Sequence, residues 1–219
     1  GKILYSGSSL VFEGVEMTAN GHSGIETNGG NEDVNVTLKN CTLNVPNGYG
    51  IYFPSSGSLI IDNTVIKANT MGVQVCAGSL EIQGDKTQIT VTGDAVTKTE
   101  NDGAIEDGAA ISIVDRTGYK GLTQVTISGG MFTAKAGNEA LKAYNWADNT
   151  ESKFDNSTGI IAVSGGTFSN EVNKAYLAEG YRLGKSTDEN RYEYAVFAKF
   201  VVGAAITVGE DISFKYQLS

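Results

Sequence analysis

Acidic side chains gather in one stretch of this 219-residue chain. "TENDGAIEDG" carries Glu100, Asp102, Glu106 and Asp107, and "IVDRTGYK" follows with Asp115, Arg116 and Lys120. A hard cation such as Ca²⁺ takes several carboxylate oxygens converging from one side. Asp102, Glu106, Asp107 and Asp115 are therefore a candidate acidic calcium or substrate site, although a solvated loop accounts for the same run of charge. A second group is aromatic. "LKAYNWADN" sets Tyr144 and Trp146 two apart, on one face of an extended strand, and Tyr119 lies upstream. Exposed tyrosine and tryptophan rings make platforms for sugar faces, so Tyr119, Tyr144 and Trp146 are candidate glycan contacts. The competing reading is that these rings cover an apolar stack beneath the polar insertion "ADNTESKFDNSTG".

Other chemistries find little support. His22, in "GHSG", is the single histidine and reads as a surface turn residue with no acidic pair nearby. It would be the sole base for a Ser-His-Asp arrangement, and no nucleophile motif accompanies it. One histidine and two separated cysteines do not make a zinc site. The glycine-rich stretches lack both phosphate-loop frames. Hydrolysis of a glycoside needs two facing carboxylates, and the repeated strands offer no acidic pair. No residue is assigned a catalytic role, and no cofactor is called for beyond the calcium that the acidic group would hold. The formal net charge of −9 repels phosphate backbones and disfavours a nucleic-acid partner. No stretch approaches the roughly twenty apolar residues that cross a bilayer, so no membrane insertion is expected. Cys41 and Cys76 sit in unlike contexts and read as two free, buried thiols.

The elements that would position these residues repeat. "LVFEGVEMTAN", "VTLKNCTLNV", "LIIDNTVIKAN", "LEIQGDKTQITV", "VTISGGMFTA" and "IAVSGGTFSN" each place apolar residues at i and i+2, then Gly or Asn at i+4. Those corner residues are Gly14, Asn40, Asn63, Gly84, Gly129 and Gly165, and a further apolar residue often follows three positions on. A second phrase begins at Gly24, Gly50, Gly72, Ala109 and Ala140. Asn40 and Asn63 are 23 residues apart, and Gly50 and Gly72 are 22 apart. A period near 22 with short alternating strands is a solenoid signature. Alternation puts the i and i+2 side chains on one face, and Gly or Asn turns the chain by adopting left-handed backbone angles. The leucine-rich frame and long helical periods are both missing. The expectation is a right-handed parallel β-helix of six or seven irregular coils, with Leu10, Val36, Leu59 and Leu80 stacked inside and Asn side chains laddered at a corner. An antiparallel sandwich is the alternative.

"ISGGMFTA" and "VSGGTFSNEVNKAYLAEGYR" resemble repeat-end motifs in large surface proteins of gut-dwelling Firmicutes that carry pectin-lyase-like right-handed β-helix regions. The resemblance covers about residues 120–197, and earlier coils share its pattern only. It implies extracellular display at a cell surface, as part of a larger multidomain protein. The leading expectation is a non-catalytic stalk or adhesin-like module, with host or dietary glycans as the partners that the aromatic group would contact. Enzymes of this fold that cleave uronate polymers imply a polysaccharide-acting alternative, and a purely structural spacer is a third reading. Residues 1–197 form the expected helix domain. Its cap, about 170–197, is a short helix from Asn170 to Gly180 followed by a hairpin turning at Asp188, Glu189 and Asn190. Residues 198–219 read as a terminal hairpin turning near Gly209–Asp211, which either opens a next domain or packs on the solenoid.

Overall fold

The computed structural model describes residues 4–97, 103–187 and 192–199, together with the backbone of 203–208 and 212–217. Strands dominate, and they come in threes. The first circuit is β1 (Ser9–Glu13), β2 (Glu16–Thr18) and β3 (Ser23–Glu26); the second is β4 (Val34–Lys39), β5 (Thr42–Val45) and β6 (Tyr49–Phe53). The third is β7 (Gly57–Asp62), β8 (Val65–Ala68) and β9 (Met71–Val75); the fourth is β10 (Ala77–Gln83), β11 (Gln88–Val91) and β12 (Ile111–Arg116). The fifth is β13 (Gly121–Ile127), β14 (Met131–Thr133) and β15 (Leu141–Ala147), after which β16 (Thr150–Lys153) folds back on β15. A sixth begins with β17 (Ile161–Val163) and β18 (Thr167–Phe168), and β19 (Tyr181–Lys185) and β20 (Tyr194–Ala198) end the stack. Each strand of a circuit pairs in parallel with its counterpart one circuit on, so three mostly parallel sheets form. Among the described residues there are five complete circuits and two strands of another, fewer than the repeats suggest, because the last phrase runs into the terminal cap.

Alternation in the strands becomes a ladder in each sheet. In the first sheet Leu10, Val36, Leu59, Leu80, Val125 and Ile161 lie in register. All but Leu10, in the first circuit, are buried. The apolar residue past the corner, three positions on in every circuit but the fourth and five on there, builds the second sheet: Met17, Leu43, Ile66, Ile89, Phe132 and Phe168 align. The Phe132 and Phe168 rings sit 5.0 Å apart. The third sheet aligns Ile25, Ile51, Val73, Ile111 and Leu141. The buried members of the three ladders meet in one core. The outward column Glu13, Lys39, Asp62 and Gln83 is also in register and meets solvent.

The corner between first and second sheets needs left-handed backbone. Gly14, Asn40, Asn63 and Gly84 have φ of 64°, 53°, 46° and 86°. In the two "SGG" phrases the role moves one residue on, to Gly130 at 109° and Gly166 at 97°. Gly165 is held small for another reason: a Cβ there would come within 2.1 Å of the Ser128 carbonyl. The expected side-chain ladder of asparagines does not form. Asn63 donates to Asp62 Oδ1 at 2.9 Å and accepts from the Lys86 amide at 3.2 Å instead, so the backbone angle is what this corner asks of asparagine. Asn40→Gly is accordingly expected to leave stability unchanged or raise it. Asn40→Ala should lose about 1 kcal/mol, from the crowding of Cβ in left-handed backbone, as read by urea denaturation.

Close packing sets the start of the third sheet. Gly24, Gly50 and Gly72 stack, and a Cβ on Gly50 would stand 2.4 Å from the Gly72 carbonyl and 2.8 Å from Ile66 Cγ2. At the far end, the expected capping helix is not an α-helix. It is one 3-10 turn, Lys174–Tyr176, capped by Asn173, whose Oδ1 accepts from the Ala175 amide at 3.0 Å. Asn170, the expected cap, instead accepts from the Ala140 amide at 2.7 Å. The turn is short because the chain rejoins the first sheet at once: Leu177 bridges Val163 in parallel, and the Ala178 amide donates to the Val163 carbonyl. β20 then pairs antiparallel with both β18 and β19, which ends the parallel run and covers a sheet edge. The hairpin turn at Asp188–Asn190 lies outside the described residues. β21 (Gly203–Val208) and β22 (Ile212–Gln217) pair antiparallel with each other; their turn, Gly209–Asp211, also lies outside.

Candidate functional site

The outer face of the third sheet carries most of the polar chemistry. β6 and β9 are buried along their whole length, because residues 103–110, inserted between β11 and β12, fold over them. Beneath this roof lie Tyr49, Tyr52, Met71, Cys76, Val114, Tyr144 and Trp146, with Ala104 and Ile105 pressed on top. Gln74, fully buried, holds the roof by a reciprocal pair: its Nε2 donates to the Ile105 carbonyl at 2.7 Å and its Oε1 accepts from the Ile105 amide at 2.9 Å. The Gly108 amide donates to the Thr70 carbonyl at 2.9 Å. Arg116 Nη1 donates to the Gly103 carbonyl at 2.5 Å and to the Tyr52 hydroxyl at 3.3 Å. The Tyr52 and Tyr119 hydroxyls meet at 2.9 Å.

Two glycan candidates are corrected by this arrangement. Tyr144 and Trp146 are 2% and 6% exposed, so neither ring offers a face to a sugar. They do share one strand face, 6.4 Å apart edge to face, but that face is the roofed one. Tyr119 is half-buried. It lines a cleft of about 340 Å³ with Thr27, Asn28, Gly29, Tyr52 and Pro54.

The acidic candidates do not converge. Glu106 points to the rim, where its Oε1 lies 2.7 Å from His22 Nε2 and its other oxygen accepts from the Thr70 hydroxyl. Asp107 turns inward and accepts from Ser112 Oγ at 2.6 Å, Tyr144 OH at 3.0 Å and the Ala109 amide at 3.1 Å. Asp115 is exposed and alternates with Val114 and Arg116, so it faces away from the roofed side. Asp102 lies outside the described residues. Among the described residues no group of three or more His, Cys, Asp or Glu is placed to hold a metal ion. Burial raises the Asp107 carboxyl above its ordinary value, against the pull of Ser112, the Ala109 amide and Lys142. Burial also pushes the Cys76 thiol up to about 12, although Arg116 lies beside it. Cys41 and Cys76 are free and buried.

His22 is not the isolated turn residue that its local sequence suggests; Glu106, 84 positions away, is its partner. The imidazole, largely exposed, also stands edge-on to Tyr49, whose hydroxyl donates to Glu26. Its pKa is raised from 6.5, first by the hydrogen bond to Glu106, then by the charges of Glu106 and Glu26. A histidine raised on folding contributes stability that is complete below 6.5 and is lost as pH rises through the folded value. The single imidazole is therefore expected to titrate above 6.5 by NMR, and Glu106→Gln should bring it back toward 6.5. Titration at or below 6.5 in the unaltered protein would show that the pair does not form.

A feature with no sequence signal lies at the cap end. Glu139, Lys142, Glu151, Lys153, Glu171 and Lys174 line an open trough of about 620 Å³ between the β15–β16 hairpin and the segment before the 3-10 turn. Lys142 Nζ bridges to Glu151 at 2.7 Å and lies 4.6 Å from the Tyr144 ring centre. Burial and the neighbouring Glu151 and Asp107 raise the Glu139 carboxyl, while Lys142 pulls it down. The trough exists because Asp148 and Asn149, at φ of 51° and 56°, turn β15 back into β16, as a two-residue hairpin loop requires.

Fold and site together define an all-β chain of three mostly parallel sheets with one sheet face roofed by its own insertion. A scan against protein-family models, a search of curated proteins and a search of solved structures each found no match.

Proposed function

We propose that the three-sheet stack is a right-handed parallel β-helix and that the chain is a non-catalytic, extracellular stalk or display module of a larger surface protein. Three things support this reading. From β1 to β15 the strands visit the three sheets in strict rotation, and a connection between parallel neighbours in one sheet is right-handed in roughly 98% of cases. The "SGG" phrases and the cap that follows them resemble the repeat ends of bacterial surface proteins. The observation that carries the non-catalytic reading is the roof: the aromatic face of the third sheet is packed under the chain's own Ala104 and Ile105, which makes it a structural wall. A glycan partner would meet the cap-end trough, whose lysines and glutamates alternate around an open floor.

The trough also favours one second reading, a polysaccharide-acting enzyme. A carboxyl held above its ordinary pKa can serve as a general acid, and Glu139, raised by burial, lies near the Lys142–Glu151 pair. A glycan-array screen run beside assays for unsaturated uronate and new reducing ends separates the two. The display reading expects no turnover, with any glycan retention lost in Lys142→Ala. Turnover abolished by Glu139→Gln would overturn it.

A further inference from the structure

Arg116 is 2% exposed and is buried on the roofed face of the third sheet. Its Nη1 is used by the Gly103 carbonyl and the Tyr52 hydroxyl. Its Nε and Nη2 reach no acceptor beyond the buried Cys76 thiol beside the guanidinium, and no carboxylate pairs with it among the described residues. Of the two described acids on the roof, Asp107 is taken by Ser112, Tyr144 and the Ala109 amide and Glu106 by His22 and Thr70, and Asp115 faces the other way. Directly across the parallel ladder from Arg116 is Trp146, whose Nε1 is also buried without an acceptor. Neighbouring strands lie about 4.8 Å apart, so Arg116 and Trp146 rise side by side on the roofed face, each with buried N–H donors unsatisfied.

Buried donors are nearly always paired, and a buried cation without a counter-charge is costly. The free atoms of Arg116 are also a particular pair. Nε and Nη2 form one edge of the guanidinium, and that edge matches the two oxygens of a carboxylate in a bidentate bond. We propose that Arg116 and Trp146 form an anion site for a carboxylate, either a small acid or a carboxylate carried on a larger ligand. Two carboxylate oxygens take Nε–H and Nη2–H, and the indole N–H donates to one of them. The approach is the cleft lined by Tyr52 and Tyr119. Tyr52 OH touches Arg116 Nη1, and the guanidinium carbon stands 5.2 Å from the Tyr119 ring centre. Tyr119 in turn lies against Gly29, where a Cβ would come within 2.2 Å of the ring. Movement of this one ring opens the path.

Trp146 is the only tryptophan, so its indole N–H gives a single resonance that reports directly on the site. The test is a titration of the whole chain with sodium formate, followed by ¹H–¹⁵N NMR, with sodium chloride at equal ionic strength as control. The indole peak is expected to move saturably with formate and not with chloride. Arg116→Lys, which keeps the charge and loses the fork, should weaken the response about tenfold or more while the backbone spectrum shows the fold intact. A peak that does not move, or moves alike with chloride, overturns the site. So does an indole peak that shifts, before any formate is added, in a Glu100→Gln/Asp102→Asn variant, because the chain's own acids would then be the acceptor.

Discussion

Leu80→Ala is expected to destabilise the protein by about 2–5 kcal/mol, the range for deleting a leucine from a packed interior. Leu80 is 1% exposed and lies between Leu59 and Val125 in the first-sheet ladder. Its removal leaves a void that two circuits share, and rigid strands on both sides limit collapse. Glu81, the next residue, points to solvent, and Glu81→Ala should stay within about 0.5 kcal/mol. Urea denaturation measures both. A Leu80→Ala midpoint no lower than that of Glu81→Ala would mean that Leu80 is not interior.

Gly72→Val is expected to be strongly destabilising. A Cβ at Gly72 would stand 2.3 Å from the Ala110 carbonyl and 2.5 Å from Ile89 Cγ2. The first is backbone of the next circuit and the second is core, so neither can swing aside. Overpacking of this kind costs about 1–3 kcal/mol or more, and here it also prises β9 from β12. Gly21 has open space around the same added atom, so Gly21→Ala is the tolerated control. Thermal denaturation reads both, with a fall in Tm expected for Gly72→Val alone.

These two residues also mark what could be read from the chain by itself. Leu80 and its ladder partners were legible because a strand alternates with period two, and because one corner residue per circuit keeps the register. The corner was legible for the same reason, though not the step from Gly129 to Gly130. At Gly165–Gly166 two adjacent glycines serve, the first for its size and the second for its backbone angle, and composition does not separate the roles. The ring pair Tyr144 and Trp146 was correctly placed on one face. That the face is inside depends on residues 103–110 folding across it, a contact between Ile105 and Gln74 that no local pattern announces. His22 and Glu106 escaped in the same way, as did the unsatisfied edge of Arg116. The trough needed the Asp148–Asn149 turn, a hairpin signal hidden inside a polar stretch that reads as plain loop. Asn170 to Gly180 has the punctuation of a helix, yet only one 3-10 turn forms there, because Leu177 is drawn back into the first sheet.

The fold requires that residues 21 to 23 positions apart, and 45 apart across the inserted roof, lie side by side. Methyl–methyl NOE spectroscopy on protein labelled at Leu and Val methyls tests it without altering the chain. An unbroken series of contacts is expected, from Val36 to Leu59, Leu59 to Leu80 and Leu80 to Val125. Leu59 and Leu80 methyls that see only residues near them in sequence, with antiparallel Hα–Hα contacts between consecutive strands such as β4 and β5, would contradict it.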